Sequence, residues 1–287
     1  MKRAEVIFTF ARYEIKRAIA RKKVLALVAF TILLTILPYY ALSQTGTSII
    51  TAADAPYVNP YLWVLAVILV GPLFLNFTAI LIAAGSMSEE YEQGTAELLL
   101  SKPVRRSDYI TGKFLGGYIL FLFILVLTLV LSIASAFTFF GVQKDLYLIP
   151  GLFVAQAFSS LLFFSLAFML GELIRRSSLA YIFSSAIFFS SFIISLFLSA
   201  IFRFTGKVVY KTVQMYLPTS AAGSLPVQYA LPRLPSTLST VLTFVSTSTT
   251  PASTISFSIE ILLVYTIVAI AIAAAYFLHA DISRKLS

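Results

Sequence analysis

Residues able to do acid–base or metal chemistry are scarce in this chain. It carries one histidine, His279, no cysteine and twelve acidic residues among 287. Without cysteine there are no disulfides and no thiolate metal sites. One histidine gives no basis for a histidine metal cluster, and no Ser/His/Asp set or carboxylate pair falls inside an apolar run. The acids that do group are Glu89, Glu90 and Glu92, with Glu97 five residues further on. Polar residues within apolar runs form a second set. Ser184, Ser191, Ser195 and Ser199 are spaced seven, four and four, which puts them on one helical face. Such hydroxyls can line a path for a transported molecule, although small-residue stripes more often let helices approach closely. Asn76 can likewise touch cargo or hydrogen-bond to a neighbouring helix.

The elements that must position these residues follow from composition. Hydrophobic residues make up 59% of the chain and charged residues 11%, against roughly 25% charged in an average soluble domain. Lipid must therefore cover part of the surface, which excludes a soluble fold. Crossing about 30 Å of hydrocarbon takes about 20 apolar residues. Six runs qualify: 24–42, 61–86, 114–141, 149–170, 178–202 and 257–279. Pro38 lies near the outer end of the first, and Gly71-Pro72 predicts a kink in the second. The predicted fold is all-α: a polytopic bundle of six transmembrane helices. Sixteen of the Lys and Arg residues flank one side of these spans and five the other. That bias predicts both termini in the cytoplasm of a multi-pass protein of the cell membrane.

Before the first span, residues 4–23 contain no Pro or Gly, and Phe8, Ala11, Ile15, Ala18 and Ile19 recur at helical spacing. Residues 1–23 thus predict an amphipathic elbow helix lying in the headgroup layer. The first span, with a 23-residue basic flank and an apolar run longer than the usual ~7–15, is set apart from a cleaved signal peptide.

The connection 88–113 is the most informative stretch. The second span runs into water through Glu89, Glu90 and Glu92, and Gly94 breaks it. Thr95 can cap a short helix carrying Leu98, Leu99 and Leu100, which Lys102-Pro103 ends. Ser107 or Asp108 then caps the third span. A short helix with exposed leucines outside the bilayer either lies back on the headgroups or docks into a groove of a soluble partner. Physical chemistry alone weights the two equally.

The acidic run, Gly94-Thr95, Glu97, the leucine triplet, Ser101-Lys102-Pro103, Arg105 and Gly112-Lys113 together resemble the cytoplasmic connection of ABC exporter permeases of the type-two membrane-domain family (type V exporters). The likeness extends to the elbow helix, the six spans and the closing 278–282 segment. It implies that the short helix of this motif is a coupling helix, that a separate ATP-binding subunit docks on the 88–102 segment, and that residues 89–100 transmit nucleotide-driven motion. Glu89, Glu90, Glu92, Gly94, Thr95, Glu97, Leu98, Leu99, Lys102, Pro103 and Arg105 would be the coupling residues. It also implies a second permease chain, with ATP and Mg held by the partner. Glu172, Arg175 and Arg176, in the polar turn between spans four and five, are a second candidate contact; topology alone also explains the arginines. The chain itself lacks the phosphate-cradling G-x-x-x-x-G-K-[ST] loop: Phe114 follows Gly112-Lys113, and Ser107 stands where the first glycine would be. It is therefore expected to be no enzyme and to hold no cofactor. Asn76, Ser184, Ser191 and Ser195 are the candidate translocation path. The outer segment, residues 203–256, is too long for a simple connection, and the resemblance predicts short outer or re-entrant helices there. The 26 Phe and 15 Tyr suit a hydrophobic or peptide cargo better than a small ion. An ion-coupled secondary transporter, the main alternative, would place charges near the midplane, where these spans have almost none. A scaffold that recruits a soluble partner is the other.

Overall fold

In the computed structural model, residues 3–20, 22–44, 55–69, 71–96, 104–235, 238 and 254–279 are described. Helix α1 (Arg3–Ala20) precedes six candidate spans. These are α2 (Lys23–Gln44), the pair α3 (Leu62–Leu69) and α4 (Gly71–Glu92), α5 (Arg106–Phe140), α6 (Ile149–Ile174), α7 (Ser177–Thr205) and α10 (Ile255–His279). Between α7 and α10 lie two shorter helices, α8 (Val208–Met215) and α9 (Pro218–Ala230). No strand occurs among the described residues. All six predicted spans are present, and each helix overruns its apolar run. Helix α5, with 35 residues, rises roughly 52 Å at 1.5 Å per residue, well beyond the hydrocarbon thickness. The surplus is the charged end, where side chains of other helices neutralise it.

Pro72 stands in the first turn of α4, where its missing N–H breaks no helical hydrogen bond. Across the bundle, burial separates centre from rim. The apolar windows of the second and fourth spans are 69% and 67% buried, against 22%, 22% and 28% for the first, fifth and sixth. Alanines Ala79, Ala83 and Ala84 of α4 let α6 pack closely, and Phe163 of α6 meets Phe188 of α7 edge-on at 5.0 Å. The rim helices turn Leu33, Phe197 and Ile267 outward, a surface suited to lipid.

Helix α1 packs on α5 rather than standing apart from the bundle. Gly112 and Gly116 make this possible: a Cβ on Gly116 would lie 2.6 Å from the Ala11 carbonyl oxygen. The inward face of α1 carries Phe10, Ala11, Glu14 and Ala18, whereas Phe8 and Ile19 are 69% and 58% exposed. That face is rotated from the purely apolar one predicted from sequence, because Glu14 is drawn inward by cationic partners on α5 and α1. Lys22, at φ 57°, then turns the chain into α2.

At the other end, α8 descends along α7 and α9 returns. Gln214 at the end of α8 donates to the Ser195 carbonyl (3.1 Å) and hydroxyl (3.0 Å), and the Thr219 N–H donates to Ser191 Oγ at 3.3 Å. Ser191 is at the middle of α7, so this hairpin dips to mid-depth, as a re-entrant pair would. Residues 239–253, the Ser/Thr-rich part of the outer segment, fall outside the described residues.

Gly116→Val should force α1 off α5 and cost about 1–3 kcal/mol by overpacking. Hydrogen exchange of the α1 amides and detergent unfolding of the full chain would register it; unchanged protection of α1 would refute this role of the glycine.

Candidate functional site

The end of α4 is where the acids predicted to act are anchored, and each is committed to a different element. Glu90 is fully buried. Its Oε1 accepts from Lys113 Nζ on α5 at 2.8 Å and from Arg17 on α1, and its Oε2 accepts from the Tyr109 hydroxyl. Lys113 is equally buried and donates also to Glu14. Glu14 takes a further bond from Ser86 Oγ at 2.9 Å. Glu89 lies 3.3 Å from Lys23 Nζ and accepts from the Tyr181 hydroxyl of α7 at 2.7 Å. Three carboxylates (Glu14, Glu89, Glu90) thus face three cations (Arg17, Lys23, Lys113). Burial works against the charge of Arg17, but Glu14, Glu90 and Glu89 outweigh it, so its guanidinium holds its proton more firmly than usual. A cavity of about 20 Å³ is bordered by Glu14, Arg17, Lys23 and Glu89 and has room for a single water.

Glu92 is exposed and reaches across to α7. It accepts from the backbone N–H of Ser177 at 2.8 Å and from its hydroxyl at 2.5 Å. A carboxylate there satisfies an orphan donor and meets the positive end of the helix dipole. Gly94, at φ +68°, then ends α4. That conformation suits glycine, since a Cβ is disfavoured there. Thr95 turns its hydroxyl back to the Glu90 carbonyl at 3.4 Å, so it closes α4. Of the remaining predicted coupling residues, Arg105 is exposed in extended backbone just before α5. Glu97, Leu98, Leu99, Lys102 and Pro103 lie outside the described residues. The predicted cap at Ser107 or Asp108 is not what forms. Helix α5 starts at Arg106 with no side-chain cap, because Asp108 is buried and bound to Arg3 of α1 at 2.7 Å.

Of Glu172, Arg175 and Arg176, the first two stay together, with Arg175 Nη2 3.9 Å from Glu172 Oε1. Glu172 is fully buried and accepts from the Tyr91 hydroxyl at 2.7 Å. Arg175, in a left-handed turn, lies between the rings of Tyr91 and Tyr276, 4.7 and 5.3 Å from their centroids. Only Arg176 of the three is exposed. The candidate path residues are all buried. Asn76 Oδ1 accepts from Ser160 of α6 at 2.8 Å. Ser191 pairs with Thr219 at 2.7 Å and Ser195 with Ser220 at 2.8 Å, both holding the re-entrant hairpin. Ser184 has no hydrogen-bond partner among the described residues.

Sequence reading missed Glu14, Arg17, Lys113, Tyr109 and Tyr181 as members of this cluster. The one available signal was Glu14 itself, an acid placed amid the basic residues of α1 and three residues before Arg17.

Six apolar helices with a charged, laterally cross-linked connection at one end define a multi-pass membrane protein. The chain belongs to the ABC-2 family of transporter proteins, whose family model matches residues 8–282. It is also similar to the uncharacterized protein YhcI of Bacillus subtilis (strain 168), at 26% identity over 165 residues. That similarity covers 49% of this chain and 53% of the relative, so the chain spans about half the length of the curated relative it matches.

Lys113→Ala would leave Glu14 and Glu90 buried with Arg17 as their one remaining shared cation, a loss of about 3–5 kcal/mol. The exposed Lys16→Ala should change stability by less than about 0.5 kcal/mol. Unfolding by SDS titration in mixed micelles distinguishes them, and equal stability of the two variants would contradict the buried pairing.

Proposed function

We propose that this chain is the membrane-spanning permease subunit of an ATP-driven exporter, energised by a separate ATP-binding subunit that docks on the connection after Glu92. ATP and Mg are held by that partner, and a second permease chain completes the transporter. Both termini and the connection face the cytoplasm of the cell membrane, as the charge bias suggests.

The observation that carries this reading is the spread of contacts made by Glu89, Glu90 and Glu92 within one turn of α4. Through them the start of the connection is tied to α1, α2, α5 and α7. A load applied at residues 93–105 therefore reaches four other helices without passing through flexible backbone. In this arrangement Glu97, Leu98, Leu99, Lys102 and Pro103 form the contact surface, with Arg105 and Arg176 at its edge. Gly94 and Thr95 set the angle at which that surface leaves α4. Glu89, Glu90, Glu92, Glu172 and Arg175 stand behind it and pass on its movement. Helix α1 lies in the headgroup layer with Phe8 and Ile19 toward lipid. Ser191, Ser195 and Asn76 hold internal helices together, and Ser184 is the path candidate with an uncommitted hydroxyl among the described residues.

The test is copurification with the ATP-binding subunit. Exchanging Glu97, Leu98 and Leu99 for serine should weaken binding by about tenfold or more, the equivalent of losing ~1.4 kcal/mol of contact. Glu92→Gln should leave the subunit bound but lower permease-stimulated ATP turnover. Binding and turnover that stay at the unsubstituted level in both variants would dismiss the coupling assignment.

A further inference from the structure

The side of α1 turned away from the bundle carries a pattern of its own. Phe8, Arg12, Lys16 and Ile19 are spaced four, four and three, and all are exposed, so they form one outward stripe. Two apolar ends, 69% and 58% exposed, bracket two cations. Neither Arg12 nor Lys16 makes a hydrogen bond or ion pair among the described residues. The acid on that side, Glu5, stands a full two turns before Arg12, ~10 Å along the axis.

Contacts with α5 set the depth of this stripe. Arg3 reaches Asp108. A Cβ on Gly112 would meet the Ile7 carbonyl oxygen at 2.8 Å, and one on Gly116 the Ala11 carbonyl oxygen at 2.6 Å. Ala18 and Leu120 border one cavity. Helix α1 therefore runs beside α5 in the same direction, with residues 11–18 abreast of 116–120. The apolar run of α5 begins at Phe114. Arg12 and Lys16 thus stand where α5 enters hydrocarbon, at the level of the lipid headgroups. There a long basic side chain keeps its charge among headgroups while its stem lies on apolar surface, and Ile19 meets acyl chains.

We propose that this stripe seats α1 on anionic phospholipid headgroups, and that the charge of the leaflet thereby holds the buried ion cluster together. A net-negative leaflet attracts each basic side chain within a Debye length of it, which a zwitterionic leaflet does not. The inward face of the same helix delivers Arg17 to Glu90 and Glu14 to Lys113. Lipid charge at Arg12 and Lys16 therefore governs how firmly those two partners stay in place. The inference rests on α1 lying at headgroup level and is independent of the ATP-driven reading.

The test is amide hydrogen exchange of the full-length chain in nanodiscs of phosphatidylcholine, with or without phosphatidylglycerol. Phosphatidylglycerol should slow exchange of the α1 amides about tenfold or more, the combined attraction of two cations. Arg12→Gln with Lys16→Gln should abolish the difference, and Arg12→Lys with Lys16→Arg should keep it. Lys207→Gln, exposed at the opposite end of the bundle, should leave it unchanged. In neutral detergent the glutamine pair should melt with the unsubstituted chain; a lower melting temperature there would make the stripe a folding element and overturn the proposal. Equal exchange in the two lipids overturns it, as would follow if the stripe awaited a soluble partner. So does a difference that survives in the glutamine pair. A nitroxide attached at Phe8→Cys, a unique label because the chain has no cysteine, separates two failures. A label in lipid in both discs, with equal exchange, removes the charge dependence alone. A label in water in both removes the headgroup placement of α1 as well.

Discussion

The buried ion pair between Glu90 and Lys113 is the constraint on which the rest of this end of the bundle depends. Neither side chain retains any contact with solvent, and an isolated charge in such a place would be prohibitive. The pair is tolerable because each member has other partners: Arg17 and Tyr109 for Glu90, Glu14 for Lys113. Those partners come from α1 and α5, so satisfying two charges fixes the depth and rotation of three helices at once. The glycines of α5 follow from the same requirement. Gly112 and Gly116 flank Lys113 and let the α1 backbone come close enough for Glu14 to reach it. A bulkier residue at either position would hold the Glu14 carboxylate away and leave the lysine with Glu90 alone.

The opposite end solves a different problem with neutral groups. A hairpin that enters to mid-depth exposes helix termini where no water is available to them. The serines of α7 supply the missing partners: Ser191 accepts the Thr219 N–H, and Ser195 takes both donors' worth of bonding from Gln214. Ser224 and Ser258 join α9 to α10 in the same way, at 2.8 Å. Charges organise the end that bears the connection, and hydroxyls organise the re-entrant end.

Membership of the ABC-2 transporter family and the geometry of the α4 terminus point the same way. The acids that looked like a recognition patch are mostly inside the protein. Glu90 and Glu172 are wholly buried, Glu89 is held between α2 and α7, and Glu92 caps α7. What they contribute is stiffness beneath the connection rather than a surface upon it. Arg175, held between two tyrosine rings, belongs with them.

The number of spans, their approximate limits and the break at Gly94 were legible in the sequence, because each is a local property. Apolar run length determines whether a helix can cross a bilayer, and a glycine before a threonine marks a helix end whatever surrounds it. Which side of α1 faces the protein was not legible, since a charged residue turned it. Nor were the partners of Glu90, which stand 73 residues away at Arg17 and 23 at Lys113. The predicted cap at Ser107 or Asp108 failed for the same reason: Arg3, 105 residues distant, took the carboxylate. The serine stripe of α7 was visible as a face, but only the folded chain decided that a re-entrant hairpin occupies it. Periodicity and composition report what a segment can bury or expose. Which charge meets which depends on helices brought together across the chain, and only tertiary packing settles that.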